Sequence, residues 1–157
     1  MTNKRVSIGK KAPRFSLPST AGTNWKPTDA AGKKLVIYFY PRDNTSGCTK
    51  EGEAFRDLHA AYRKAGALVV GVSPDSIESH AKFKAKMSFP FELLADEDRS
   101  VCELFEVIRE KSMYGRKFMG VERSTFLFDA DGVLRQEWRK VKVPGHADEV
   151  LAAVKIL

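Results

Sequence analysis

The chain has 157 residues, 43% of them apolar, and a formal charge of +7. That is enough chain for one domain with a real core, and no apolar run approaches a membrane span. The 27 basic residues are scattered among 20 acidic ones, with no zinc finger, Gly-rich phosphate loop or aromatic-basic signature beside them. The charge therefore reads as a solvated surface, with no nucleic acid and no membrane among the expected partners.

Residues 1–20 carry basic side chains but no apolar centre or small-residue cleavage pattern, so no secretory leader is expected. Two cysteines, Cys48 and Cys102, are too few for a disulfide framework and lack zinc-ligand spacing. The expectation is a reduced, cytoplasmic protein without metal or cofactor.

In chain order, residues 34–40 (KLVIYFY) form a near-continuous apolar run, the pattern of a strand covered on both faces. Pro41 ends it and a polar loop, 42–47, follows. Ala54, Phe55, Leu58, Ala61, Tyr62 and Ala65 then recur at helical spacing up to Gly66. This predicts one helix carrying both Cys48 and His59. Residues 67–73 (ALVVGVS) predict a second buried strand. Residues 77–87 predict a helix with Ile77, Ala81 and Ala85 on one side, and 91–95 a short strand.

Val101, Leu104, Phe105 and Ile108 predict a further helix with Cys102 on the flank of its apolar stripe. Residues 109–120 read as a polar connection. Residues 124–129 and 133–141, joined across Asp131-Gly132, predict a hairpin. Ala147, Val150, Leu151 and Val154 mark a last helix. Strands and helices alternate without repeat or linker, which predicts an α/β chain with early parallel pairing, as one domain over residues 1–157.

Cys48 falls where the second element begins. A cysteine there meets unpaired backbone N–H groups and the positive end of the helix dipole, and both favour the nucleophilic thiolate. A free cysteine is more often core packing. Here the flanking residues Asn44, Thr45, Ser46, Gly47, Thr49 and Lys50 are polar, and the carboxyl end of a parallel strand is where open α/β sheets place their sites. Residues Thr45 and Glu51 occupy the two positions that a CxxC dithiol would use, so one thiol must act without a neighbouring partner. Attack of a thiolate on a peroxide needs donors for the leaving oxygen, which N–H groups, a hydroxyl and a guanidinium can supply. Pro41 would limit water around the sulfur.

PRDNTSGC fits the peroxiredoxin pattern PxxxTxxC, with Pro41, Thr45 and Cys48 in register. The wider stretch YFYPRDNTSGCTKE resembles the bacterioferritin comigratory protein group, also called PrxQ. So do GVSPDSIESHAKF, LLADEDRSVCELFEV and KSMYGRKFMGVERSTFLFDADGVL, and the likeness covers nearly the whole chain. The resemblance implies a thioredoxin-like fold, with a central mixed sheet flanked by helices. It also implies reduction of hydrogen peroxide and organic hydroperoxides, a monomer, and an arginine of the site at Arg123.

The pattern departs from that group in one respect. The position five residues after Cys48, where many members carry a resolving cysteine, is Glu53, and the alternative near SHAKFKAK has Phe83 and Lys84. The expectation is a one-cysteine cycle, with Cys102 in a packing role and an external thiol (thioredoxin, glutaredoxin or glutathione) as reductant. His59, His80 and His146 make no ligand spacing with either cysteine, and His59 reads as a surface residue.

Overall fold

A computed structural model describes residues 6–157; the first five residues of the segment read as leaderless lie outside it. The central sheet is built on β3 (Lys34–Phe39), with β4 (Ala67–Ser73) and β5 (Glu92–Ala95) added in parallel on one side. On the other side lie β8 (Ser124–Phe128) and β9 (Leu134–Trp138), both antiparallel to their neighbours. The order is β5-β4-β3-β8-β9, a mixed sheet. Two residues each form β1 (Leu17–Pro18) and β2 (Asn24–Trp25), a small separate hairpin ahead of a 3-10 turn at Pro27–Ala30.

Alternation along β3 explains why its run is apolar throughout. Leu35, Ile37 and Phe39 face one core with Val72, Phe126, Cys102 and Phe105. Val36, Tyr38 and Tyr40 face the other, with Cys48, Phe55, Tyr62, Phe83 and Val150. The second core is roofed by α1 (Ser46–Asp57), α2 (His59–Lys64), α3 (Ile77–Met87) and α5 (His146–Lys155). Phe55 holds α1 to the sheet, its ring 4.7 Å from Tyr38 and 5.7 Å from Tyr62. Truncating it to alanine should cost about 3–5 kcal/mol.

Four expectations are corrected. The helix through Cys48 stops at Asp57, and His59 opens a separate helix after Leu58 leaves helical geometry (φ −99°, ψ 6°). On α3 the buried face is His80 and Phe83, whereas Ala81 and Ala85 are exposed; a methyl group gains too little from burial to set the helix's rotation. The helix at Val101 ends as α4 (Ser100–Leu104), because Glu106 turns left-handed (φ 56°) and Val107 bonds back to the Cys102 carbonyl.

Ile108 instead begins β6 (Ile108–Met113), which pairs with β7 (Arg116–Val121) where a polar connection was expected. The two-residue turn Tyr114-Gly115 has positive φ at both positions (53° and 78°), the geometry that matches strand twist in a hairpin. Tyrosine is an unusual first residue for it, which hid the signal. The Asp131-Gly132 hairpin forms as expected. No helix among the described residues is long and apolar enough to cross a membrane.

Candidate active site

Tyr40 leaves the sheet, half-buried Pro41 ends the strand, and the chain turns through Asn44 (φ 65°) to Thr45, the residue that caps α1 in extended geometry (ψ 156°). Cys48 is therefore the third helical residue, still within the turn whose N–H groups lack intrahelical acceptors. Its sulfur is nearly enclosed, with the residue 2% exposed.

Arg123 comes from the short junction between β7 and β8 and reaches across to α1. Its Nη2 donates to Cys48 Sγ at 3.5 Å, and its Nη1 donates to Glu51 Oε1 at 2.6 Å. Gly47 gives this approach its room: a Cβ there would stand 3.0 Å from Nη2 and would crowd the guanidinium by a few tenths of an ångström. Arg123 is thus no surface arginine; its side chain keeps only 16% of its exposure.

Glu51 lies one helical turn beyond Cys48 and is fully buried. Burial pushes its carboxyl up to about 7, while the facing guanidinium pulls the other way. Its Oε2 has no hydrogen-bond partner among the described residues. Glu51 fixes the guanidinium's orientation so that the second nitrogen meets the sulfur. On β6, burial lowers Lys111, Arg123 lowers it further, and Cys48 pulls it up, so the unforeseen hairpin borders the site. Tyr38 forms part of the floor, its phenol held protonated by burial first and by Glu51 next.

Thr45, the hydroxyl in register with the peroxiredoxin pattern, stands at the start of α1. It is exposed, and its Oγ1 donates to the Arg42 carbonyl at 2.9 Å. That bond uses the hydroxyl's hydrogen and leaves lone pairs free to accept. Cys102 belongs to the other core, across the sheet from Cys48, and both sulfurs are free. Burial, and then Asp96, pushes the Cys102 thiol far above its ordinary range.

Among the described residues, Asp43, Asp75 and His80 are the group whose ligand atoms converge as metal ligands would, within 4.8 Å of one another. Asp43 and His80 bond to each other, and Asp75 Oδ2 accepts from the Asp43 amide and the Ser73 hydroxyl. Sequence reasoning missed this cluster and underrated Glu51. Only the glycine directly before the cysteine hinted at a close approach.

A sequence profile described as the AhpC/TSA family matches residues 8–137. Peroxiredoxin Bcp of Xanthomonas campestris pv. campestris is 52% identical over 146 residues, covering 92% of this chain and 91% of that protein. Peroxiredoxin Bcp of Bacillus subtilis is 47% identical over 150 residues, 96% of each. Among solved structures, Xanthomonas campestris Peroxiredoxin Q superposes with a TM-score of 0.86 at 51% identity over 90% of both chains. Xylella fastidiosa PrxQ gives 0.90 at 41% over 96% of both.

Proposed function

The chain belongs to the AhpC/TSA family and is a peroxiredoxin of the Bcp/PrxQ group, a thiol-dependent peroxidase, and from that premise we propose that Cys48 is the sulfur that meets the peroxide. The observation that carries the assignment is Arg123 Nη2 at 3.5 Å from Sγ. A guanidinium held there supports negative charge on sulfur and on the oxygens that replace its field during reaction.

In the first step the Cys48 thiolate attacks one peroxide oxygen. The S–O bond forms as the O–O bond breaks, sulfur is oxidised to a sulfenic acid, and the other oxygen leaves as water or an alcohol once protonated. Arg123 and the free N–H groups of the first turn of α1 stabilise charge on the departing oxygen. Thr45, with its own hydrogen committed to the Arg42 carbonyl, accepts the O–H of the incoming peroxide and orients it. Pro41, half-buried at the end of β3, keeps water from one side of the sulfur. Organic hydroperoxides are included because an alkyl peroxide reduction activity is ascribed to the bacterioferritin comigratory protein of Xanthomonas campestris.

The second step uses an external thiol. Cys102 sits in the opposite core, wholly buried and with a thiol that burial keeps protonated, so a Cys48–Cys102 bridge would require the sheet to open. Thioredoxin, glutaredoxin or glutathione would condense with the sulfenic acid, releasing water, and a second thiol would return Cys48.

The test combines single-turnover peroxide consumption with intact mass after one equivalent of peroxide. Cys48→Ser should consume none, and Cys102→Ser should keep the first turnover. Loss of two hydrogens from the monomer, with a peptide joining Cys48 to Cys102, defeats the one-cysteine cycle. Consumption retained by Cys48→Ser defeats the nucleophile assignment.

A further inference from the structure

The loop that presents Cys48 is exposed at Arg42, Asn44, Thr45 and Ser46 and buried at one residue only, Asp43. Its side chain is 1% exposed and is bonded by three residues from two other segments. Tyr40 at the end of β3 donates to Oδ1 at 2.7 Å, and Ser79 on α3 donates to Oδ2 at 2.8 Å. His80 Nδ1, also on α3, lies 2.8 Å from Oδ2. The Asp43 amide donates to Asp75 Oδ2 at 2.8 Å, so backbone and side chain are both anchored.

His80 is wholly enclosed, and its Nε2 lies 2.9 Å from the Leu94 carbonyl on β5. Both ring nitrogens thus face oxygens, a carboxylate and a backbone carbonyl. The ring is therefore held at both ends, by the Asp43 carboxylate and by the Leu94 carbonyl. Burial keeps the Tyr40 phenol protonated, consistent with its role as donor. No core contact of Asp43 explains such an investment of polar groups, since the residue fills no apolar site. Its place two residues before Thr45 and five before Cys48 does explain it.

We propose that Asp43 and His80 are positioning residues for peroxide reduction: their buried pair pins the loop to α3 and β5 and so holds Thr45 and Cys48 in register with Arg123. The proposal rests on Cys48 being the nucleophile. It makes α3 part of the active-site scaffold, although among the described residues the sulfur's hydrogen bond comes from Arg123 and not from α3. Opening of the loop and loosening of α3 are one event.

The experiment compares Asp43→Ala, Asp43→Asn and His80→Leu with the unsubstituted protein. It measures the rate of Cys48 oxidation by hydrogen peroxide, the rate of alkylation by iodoacetamide, and circular dichroism. Asp43→Ala should lose about tenfold or more in the peroxide rate, because misplacement by an ångström costs that much, while alkylation, which needs no aligned donors, is not slowed. His80→Leu should show the same split. Asp43→Asn should recover to within about threefold, since its amide has the same shape and can still bond Nδ1 of His80 and accept from Tyr40.

A peroxide rate in Asp43→Ala equal to that of the unsubstituted protein overturns the proposal. So does alkylation that slows in step with peroxide reaction, or an Asp43→Asn as slow as Asp43→Ala. If the alanine variant does not fold, hydrogen exchange on the unsubstituted protein decides. The amides of Asp43, Thr49 and His80 should open together, and independent opening sinks the idea. Activity retained by Cys48→Ser would instead remove the nucleophile assignment and leave that exchange result untouched.

Discussion

Cys48 and Cys102 are equally hidden, at 2% and 0% exposed, yet the two sides of the sheet treat them in opposite ways. Around Cys48 stand a guanidinium at 3.5 Å, the N-terminal turn of a twelve-residue helix and, within electrostatic reach, Lys111. Around Cys102 stand aromatic rings and a carboxylate: Asp96 accepts its amide at 2.7 Å and opposes ionisation of its thiol. Burial alone does not distinguish a reactive thiol from a packed one. The charge facing each sulfur differs in sign, and the roles proposed for the two cysteines rest on that difference.

The strongest way to break that contrast is to exchange the roles by mutation. Cys48→Ser should abolish peroxide reduction, whereas Cys102→Ser should leave the rate of the first turnover unchanged, both read by stopped-flow consumption of peroxide. Next in size, Arg123→Met should slow sulfur oxidation by about 10²–10³-fold, the usual loss when one charge-stabilising donor is removed. It should also lower stability, since it leaves Glu51 buried without its cation. Combining it with Glu51→Gln should return much of that stability and none of the rate.

A pH series sharpens the same comparison. Because burial pushes Glu51 up to about 7 from 4.5, the folded state holds a proton between those values that the unfolded chain has released. Stability should therefore fall as pH rises through that interval, by at most about 3–4 kcal/mol, at about 1.4 kcal/mol per pH unit of displacement. Urea midpoints from pH 4.5 to 8 should show this slope, and Glu51→Gln should flatten it. The smallest effect is expected at Cys102. Placing a hydroxyl in its apolar pocket should cost about 1–3 kcal/mol, measured by denaturant unfolding, with no kinetic signature.

Local pattern carried much of the fold. The strands at 67–73 and 124–128 were legible because apolar runs and breakers agree there, and the helix at 77–87 was legible in its extent but not in its buried face. The β6–β7 hairpin was not, because its exposed side chains mix Glu110, Met113, Lys117 and Phe118 without alternation. In α4, apolar residues at helical spacing ran on past the point where Glu106 turns the chain. His80 looked like an idle histidine because its partners, Asp43 and Leu94, are 37 and 14 residues away.

Family membership and the proposed reactive segment 41–48 were readable from the order of residues alone, since a proline, a hydroxyl and a thiol at fixed spacing constrain one short loop whatever surrounds it. Which charge faces the sulfur, and that Cys102 lies beyond the sheet from Cys48, follow only from the packed chain. Arg123 is 75 residues from Cys48 along the sequence, and only the antiparallel placement of β8 against β3 brings it to the start of α1. Electrostatic fields act through space, and distance in space is what folding decides.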